Sequence, residues 1–206
     1  MRTTVHPIEV ESYAILRTRL DTSDLPPLTR AVVERVVHTS ADTGWAGDLV
    51  CDEAALRAGR QALLAGAPLV TDVRMVAVGV TSRPATVALD LAALDITALD
   101  NSGAAAEGLT RSAAGIRAAV ARFPEGAVWA IGNAPTALAE LVRCAEAGLV
   151  TTPLVVGLPV GFVGSVAAKA ALRASGLPTV SNRSERGGAA AAAAAVNALL
   201  YAEDEA

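Results

Sequence analysis

The sequence predicts an α/β fold: a mostly parallel sheet with helices on both faces, and extra helices at the N-terminus. Three observations predict it. From residue 69 onward, short apolar runs alternate with longer stretches whose apolar residues recur at helical spacing. The connections between them are short and rich in glycine, as in successive strand-helix units over a covered parallel sheet. No linker or internal repeat divides the second half. One domain over residues 1–206 is therefore expected, with residues 1–66 as a mainly helical N-terminal layer.

Each element has its own signal. Ile8, Tyr13, Ile15, Leu16 and Leu20 give a helix over 6–20, which Pro26-Pro27 separates from the next. Val32, Val33, Val36 and Val37 form the apolar face of a helix over 29–41, ended by Asp42-Thr43-Gly44. Residues 49–51 read as a short strand. Asp52 then caps a helix through 65 that Gly66 terminates. Residues 69–71 form a strand, and Asp72 is expected to cap a short helix through 78. A strand over 86–89 and a long helix over 101–122 follow. Strands over 127–131, 153–156 and 179–181 then alternate with helices over 134–147, 164–174 and 188–201. Gly148 and Gly176 close the first two of those helices.

Composition narrows the function classes. Of 206 residues, 52% are hydrophobic, enough for a large core. No uninterrupted apolar run approaches the ~18 residues of a membrane span, and MRTTVHPIEVES lacks a secretory core. A cytoplasmic location with no membrane partner is expected. The two cysteines, Cys51 and Cys144, have no Cys or His at metal spacing, and with only His6 and His38 a multi-histidine centre is not expected. Net charge is −4, which offers nothing to a nucleic acid. Lys169 is the only lysine, so the cationic side chains are arginines, which bind carboxylates through two parallel hydrogen bonds.

Ligands of such sheets bind beyond the carboxyl ends of the strands. Three consecutive strand ends carry glycine-bearing loops that lead into helices: Gly132-Asn133-Ala134-Pro135-Thr136, Gly157 to Gly164, and Ser181 to Gly188. Their helix N-termini, with Arg183 and Arg186 on the last loop, suit a ligand with several carboxylates or phosphates. None reads as a dinucleotide or phosphate-loop fingerprint, so no nucleotide cofactor is indicated. His38 closes Glu34-Arg35-Val36-Val37-His38 near a helix C-terminus. That position fits either an acid/base or a partner of the helix dipole.

Taken with Ala65-Gly66-Ala67-Pro68, Met75 to Thr81 (MVAVGVT), Thr110-Arg111-Ser112-Ala113, GNAPTAL over 132–138, GLPVGFVG over 157–164 and Asn182-Arg183 through Gly187-Gly188, this sequence resembles the precorrin-8X methylmutase family, including its cobalt-precorrin-8 counterpart. The resemblance runs from about residue 5 to residue 200. It is weaker over 90–101 and at Ser184-Glu185.

The resemblance implies an α/β homodimer with sites at the subunit interface. The implied reaction moves a methyl group from C11 to C12 of precorrin-8X to give hydrobyrinic acid, or its cobalt-containing equivalent, in cobalamin synthesis. His38 takes the place of the family's catalytic histidine. Met75, Thr81, Arg111, Ser112, Gly132, Asn133, Thr136, Gly161, Phe162, Arg183 and Arg186 become the expected substrate contacts. Met75, Val76, Leu158, Val160 and Phe162 are expected to line an apolar slot for the ring. No cofactor and no metal is implied. Two other readings compete: a nucleotide-using oxidoreductase or transferase, and a corrin carrier without turnover.

Overall fold

A computed structural model describes residues 6–92 and 108–202. In chain order the elements are α1 (Pro7–Arg19), α2 (Pro27–Ser40), α3 (Trp45–Asp48), β1 (Leu49–Cys51), α4 (Glu53–Leu64), β2 (Leu69–Thr71), α5 (Arg74–Gly79), β3 (Thr86–Val87), α6 (Arg111–Arg122), β4 (Val128–Ile131), α7 (Pro135–Glu146), β5 (Val155–Gly157), α8 (Ser165–Ala174), β6 (Thr179–Asn182) and α9 (Ala189–Tyr201). The strands make one sheet in the order β1-β6-β5-β4-β2-β3. All neighbours are parallel except β1 and β6, where Leu49 lies opposite Asn182.

Two apolar layers cover this sheet, as the expected fold class requires. On one face, Val32, Val33 and Val36 of α2 and Leu56 of α4 pack with Ala192, Val196 and Leu199 of α9 and the sheet residues Val128 and Val156. On the other, Ile116 of α6, Leu138 and Leu141 of α7 and Leu172 of α8 pack against Trp129, Ile131 and Val155. β2, β4 and β5 are buried along their whole length, which is why they read as continuous apolar runs rather than alternating ones. The alanines of α9 let it lie against the sheet: residues 191–196 are all buried.

Two expected elements are corrected, and one is added. Asp72 does not cap α5, whose N-cap is Val73 with no side-chain bond. Of the helix expected over 101–122, the described residues show α6 starting at Arg111, where the Thr110 hydroxyl accepts the N–H of Ala113 and fixes the first turn. Residues 93–107 lie outside the described residues. α3 had no sequence signal beyond the Gly44 turn and is a single turn of helix.

The helices place both ends of the site. α2 runs antiparallel to α9: Pro27 and Ala31 share a cleft with Ala198 and Tyr201 at one end. At the other, Asp42 pairs with Arg186, just before α9 begins, at 3.1 Å. The C-terminal turn of α2, with His38, therefore points toward the carboxyl edge of the sheet.

Candidate active site

His38 is half-buried, between α1 and α2. Its Nδ1 lies 2.9 Å from the Ser12 hydroxyl. The Tyr13 ring stacks on the imidazole at 4.7 Å with an interplanar angle of 14°. Among the described residues Nε2 has no hydrogen-bond partner. One side of the ring is thus anchored and the other is left to exchange a proton. When Nδ1–H donates to the Ser12 hydroxyl in both the imidazolium and the neutral ring, the proton exchanged is the one on Nε2. Ser12 and Tyr13 were not expected as site residues, because nothing in a helical pattern indicates which other helix a face will meet.

A row of contacts continues from His38. Arg35, one turn earlier on the same face of α2, lies 6.0 Å from the Tyr13 ring and 5.1 Å from the Tyr201 ring. The Tyr201 hydroxyl lies 2.6 Å from that of Thr81. Thr81 therefore joins His38 through this row, although the two are distant in sequence.

The carboxyl edge of the sheet gathers most of the remaining expected contacts. Asp72, at the end of β2, is buried. Its carboxylate accepts the N–H groups of Gly132 at 3.1 Å, Asn133 at 2.7 Å, Ala134 at 2.9 Å and Val73 at 3.0 Å. Burial pushes the Asp72 carboxyl above its ordinary range, against the pull of these four donors. Strand order reverses between β2 and β4, and at such a switch point parallel sheets commonly open a ligand crevice. Here Asp72 ties the ends of the two strands together. The N–H groups of Gly132 and Asn133, just before the N-terminus of α7, are both taken by Asp72.

Gly132 is also where backbone needs room. A Cβ there would stand 2.8 Å from both Val76 and Ala192, so α5 and α9 approach the turn directly. This close packing sets Met75 beside the turn, itself 64% exposed. Across the loop, the hydroxyls of Thr136 and Thr110 lie 2.9 Å apart, which brings Thr136 beside Arg111 and Ser112 at the start of α6.

The β5–α8 loop holds Gly161 with φ of 147°, a conformation that needs glycine. Phe162 and Val163 then project outward, 96% and 89% exposed. Val160 is also exposed, but Val76 and Leu158 are fully buried. The expected apolar slot thus keeps Met75, Val160 and Phe162 and loses the other two to the core.

The third loop is clamped twice. Asp48 accepts the Arg183 N–H at 3.0 Å, the Ser184 N–H at 2.8 Å, the Ser184 hydroxyl at 2.6 Å and the Asn182 amide at 2.8 Å. Burial raises this carboxyl, but the four donors outweigh it and hold Asp48 below its usual value. Lys169 is fully buried beneath the loop. It donates to Asn182 Oδ1 at 2.9 Å and to the carbonyls of Ser184 at 2.5 Å and Arg186 at 2.7 Å. Burial pushes this ammonium down to about 8. Arg183 and Arg186 are exposed on the loop so fixed, Arg186 paired with Asp42 and Arg183 donating to the Gly47 carbonyl at 3.3 Å. The loop's N–H groups are thus also largely committed: that of Gly188 bonds the Leu158 carbonyl at 2.9 Å.

Among the described residues no group of three His, Cys, Asp or Glu side chains is placed to hold a metal ion, and no helix is long and apolar enough to cross a membrane.

Known proteins fit this geometry. A family model of precorrin-8X methylmutase matches residues 7–202. A precorrin-8X methylmutase of Pseudomonas aeruginosa is 40% identical over 192 residues, covering 92% of this chain and 91% of that protein. A cobalt-precorrin-8 methylmutase of Salmonella typhimurium is 37% identical over 200 residues, covering 94% and 93%. The crystal structure of a precorrin-8X methylmutase from Thermus thermophilus superposes with a TM-score of 0.80 at 31% identity, covering 94% and 93%. The chain belongs to the precorrin-8X methylmutase family, isomerases of cobalamin biosynthesis.

Proposed function

We propose that this enzyme moves the methyl group of precorrin-8X, or of its cobalt-containing form, from C11 to C12, with His38 as the acid/base. The observation that carries this is the anchored imidazole: Ser12 fixes Nδ1, Tyr13 fixes the ring plane, and Nε2 is left to deliver a proton. Substrate and product are isomers. The C11–CH3 bond breaks, the C12–CH3 bond forms, and no electron or atom is gained. A proton placed on the macrocycle draws electron density from the bond that breaks and returns to His38 afterwards. No redox cofactor is needed for that balance.

Arg111, Arg183 and Arg186 are suited to the acidic arms of the macrocycle, and exposed Met75 and Phe162 to its apolar surface. Thr81, Ser112, Asn133 (through its side chain), Thr136 and the turns at Gly132 and Gly161 complete the wall. We read the whole chain as one methylmutase domain that acts as a homodimer in the cytoplasm. The exposed apolar side chains of Val160, Phe162 and Val163 on one loop support a subunit interface. A buried carboxylate that already takes the Gly132, Asn133 and Ala134 N–H groups weighs against a phosphate bound at that turn, and so against a nucleotide-using enzyme. Incubation of the purified enzyme with precorrin-8X should convert its visible spectrum to that of a corrin. Tight binding of the corrin with no conversion would leave only a carrier.

A further inference from the structure

We propose that the cleft between α1, α2 and the end of α9 is a further carboxylate subsite, in which Arg35 receives one acidic arm of the macrocycle. This rests on the methylmutase reading and adds a contact to it. The cleft has a volume of about 240 Å³, and Tyr13, Arg17, Arg30, Glu34, Arg35 and Tyr201 lie on its walls. Three of these are cations and one is an anion.

The anion is already committed. Glu34 accepts from Arg17 at 2.8 Å and from the Thr22 hydroxyl at 2.6 Å. Its hydrogen bonds go to Arg17 and Thr22, and its charge also acts on Arg30. Arg30 turns one nitrogen to the carbonyls of Ser23 and Leu25, both at 3.3 Å. Its buried Nε has no partner among the described residues. Arg35 meets Glu9 through a single long contact of 3.4 Å. Its guanidinium lies near the Tyr13 and Tyr201 rings, which limits its movement. A planar cation so restrained keeps most of its five N–H donors for a ligand, and two of them match the two oxygens of a carboxylate. Burial pushes the Tyr13 phenol up, so its hydroxyl remains a donor near the same place.

Position relates the cleft to the reaction. Arg35 and His38 share one face of α2, roughly 4.5 Å apart along the axis at 1.5 Å per residue. The Tyr13 ring touches both the imidazole and the cleft. A ring seated against His38 therefore places a peripheral arm over Arg35.

The test is a spectral titration with hydrobyrinic acid and a panel of its derivatives, each with a different single carboxylate converted to a primary amide. Wild type and Arg35→Met are compared. We expect Arg35→Met to bind the parent corrin about 10- to 100-fold more weakly, the range for one charge-assisted contact. One panel member should lose affinity in wild type and lose little more in the variant, which identifies the arm. Equal binding of the parent corrin by folded Arg35→Met would overturn the subsite. So would full additivity of the variant with every amide. If Arg35→Met does not fold, Arg35→Gln, which keeps a polar head between the two rings, carries the same comparison. If wild type binds no corrin at all, the methylmutase reading fails, and not the subsite alone.

Discussion

The Asp72 carboxylate reaches from the end of β2 to the Asn133 N–H, 2.7 Å away in the turn after β4. One buried side chain thereby holds the turn that opens the GNAPTAL motif. Replacing Asp72 with Asn keeps the volume but puts an NH2 group against N–H donors. We expect a loss of about 2–4 kcal/mol in urea unfolding, the scale for leaving buried donors unpaired. An unchanged midpoint would mean the turn holds its shape without Asp72.

His38→Asn should lower single-turnover conversion of precorrin-8X by orders of magnitude, while corrin affinity falls less than tenfold. The measurement pairs stopped-flow turnover with a thermal midpoint. A folded variant converting at the wild-type rate would remove His38 from the chemistry. Ser12→Ala should leave the imidazole stacked on Tyr13 but lower single-turnover conversion, since the hydroxyl that anchors Nδ1 is gone.

Lys169→Met leaves the buried Asn182 Oδ1 without its Lys169 donor and leaves the Ser184 and Arg186 carbonyls only the Asn182 amide. A stability loss of about 2–4 kcal/mol is expected. Amide exchange should rise most over residues 182–188, and corrin affinity should fall because Arg183 and Arg186 are no longer held. Faster exchange elsewhere with that loop still protected would contradict the clamp.

Acid should weaken the fold through Asp48, Glu34 and Glu140. All three are raised by burial but lowered more by their partners: Ser184 and Asn182 for Asp48, Arg17 and Thr22 for Glu34, Arg143 and Arg117 for Glu140. Their folded values lie below those of the unfolded chain. The stability they contribute is therefore complete above the unfolded values and lost as pH falls through the folded ones. Asp72, raised by burial, takes up its proton earlier in the folded state and makes the slope shallower at its upper end. Urea midpoints should be flat from pH 7 to about 5 and fall below about 4. A midpoint that rises on acidification would contradict these assignments.

Sedimentation at micromolar concentration should give a mass near twice 20.8 kDa. Phe162→Asp, which places a charge at a side chain 96% exposed in the single chain, should shift that mass toward the monomer. A monomer that turns over at the full rate would remove any need for a shared site.

The sequence by itself determined the alternation of strands and helices, because apolar periodicity and glycine stops are local signals that survive any packing. It also carried the family, since GNAPTAL and GLPVGFVG lie at loops whose composition is unusual on its own. It misassigned Asp72 because an aspartate before a helix reads as a cap, and only the adjacency of β2 and β4 offers it better donors 60 residues away. It placed Val76 and Leu158 at a surface for the same kind of reason: an apolar residue near a loop does not say which side it faces until neighbouring elements close over it. Ser12 and Tyr13 became partners of His38 only through the packing of α1 on α2. Lys169 was visible as the one lysine, but not as the buried donor beneath the last loop. Local chemistry wrote the elements. The contacts of the site are long-range, between helices and loops whose meeting is fixed by the order of strands in the sheet.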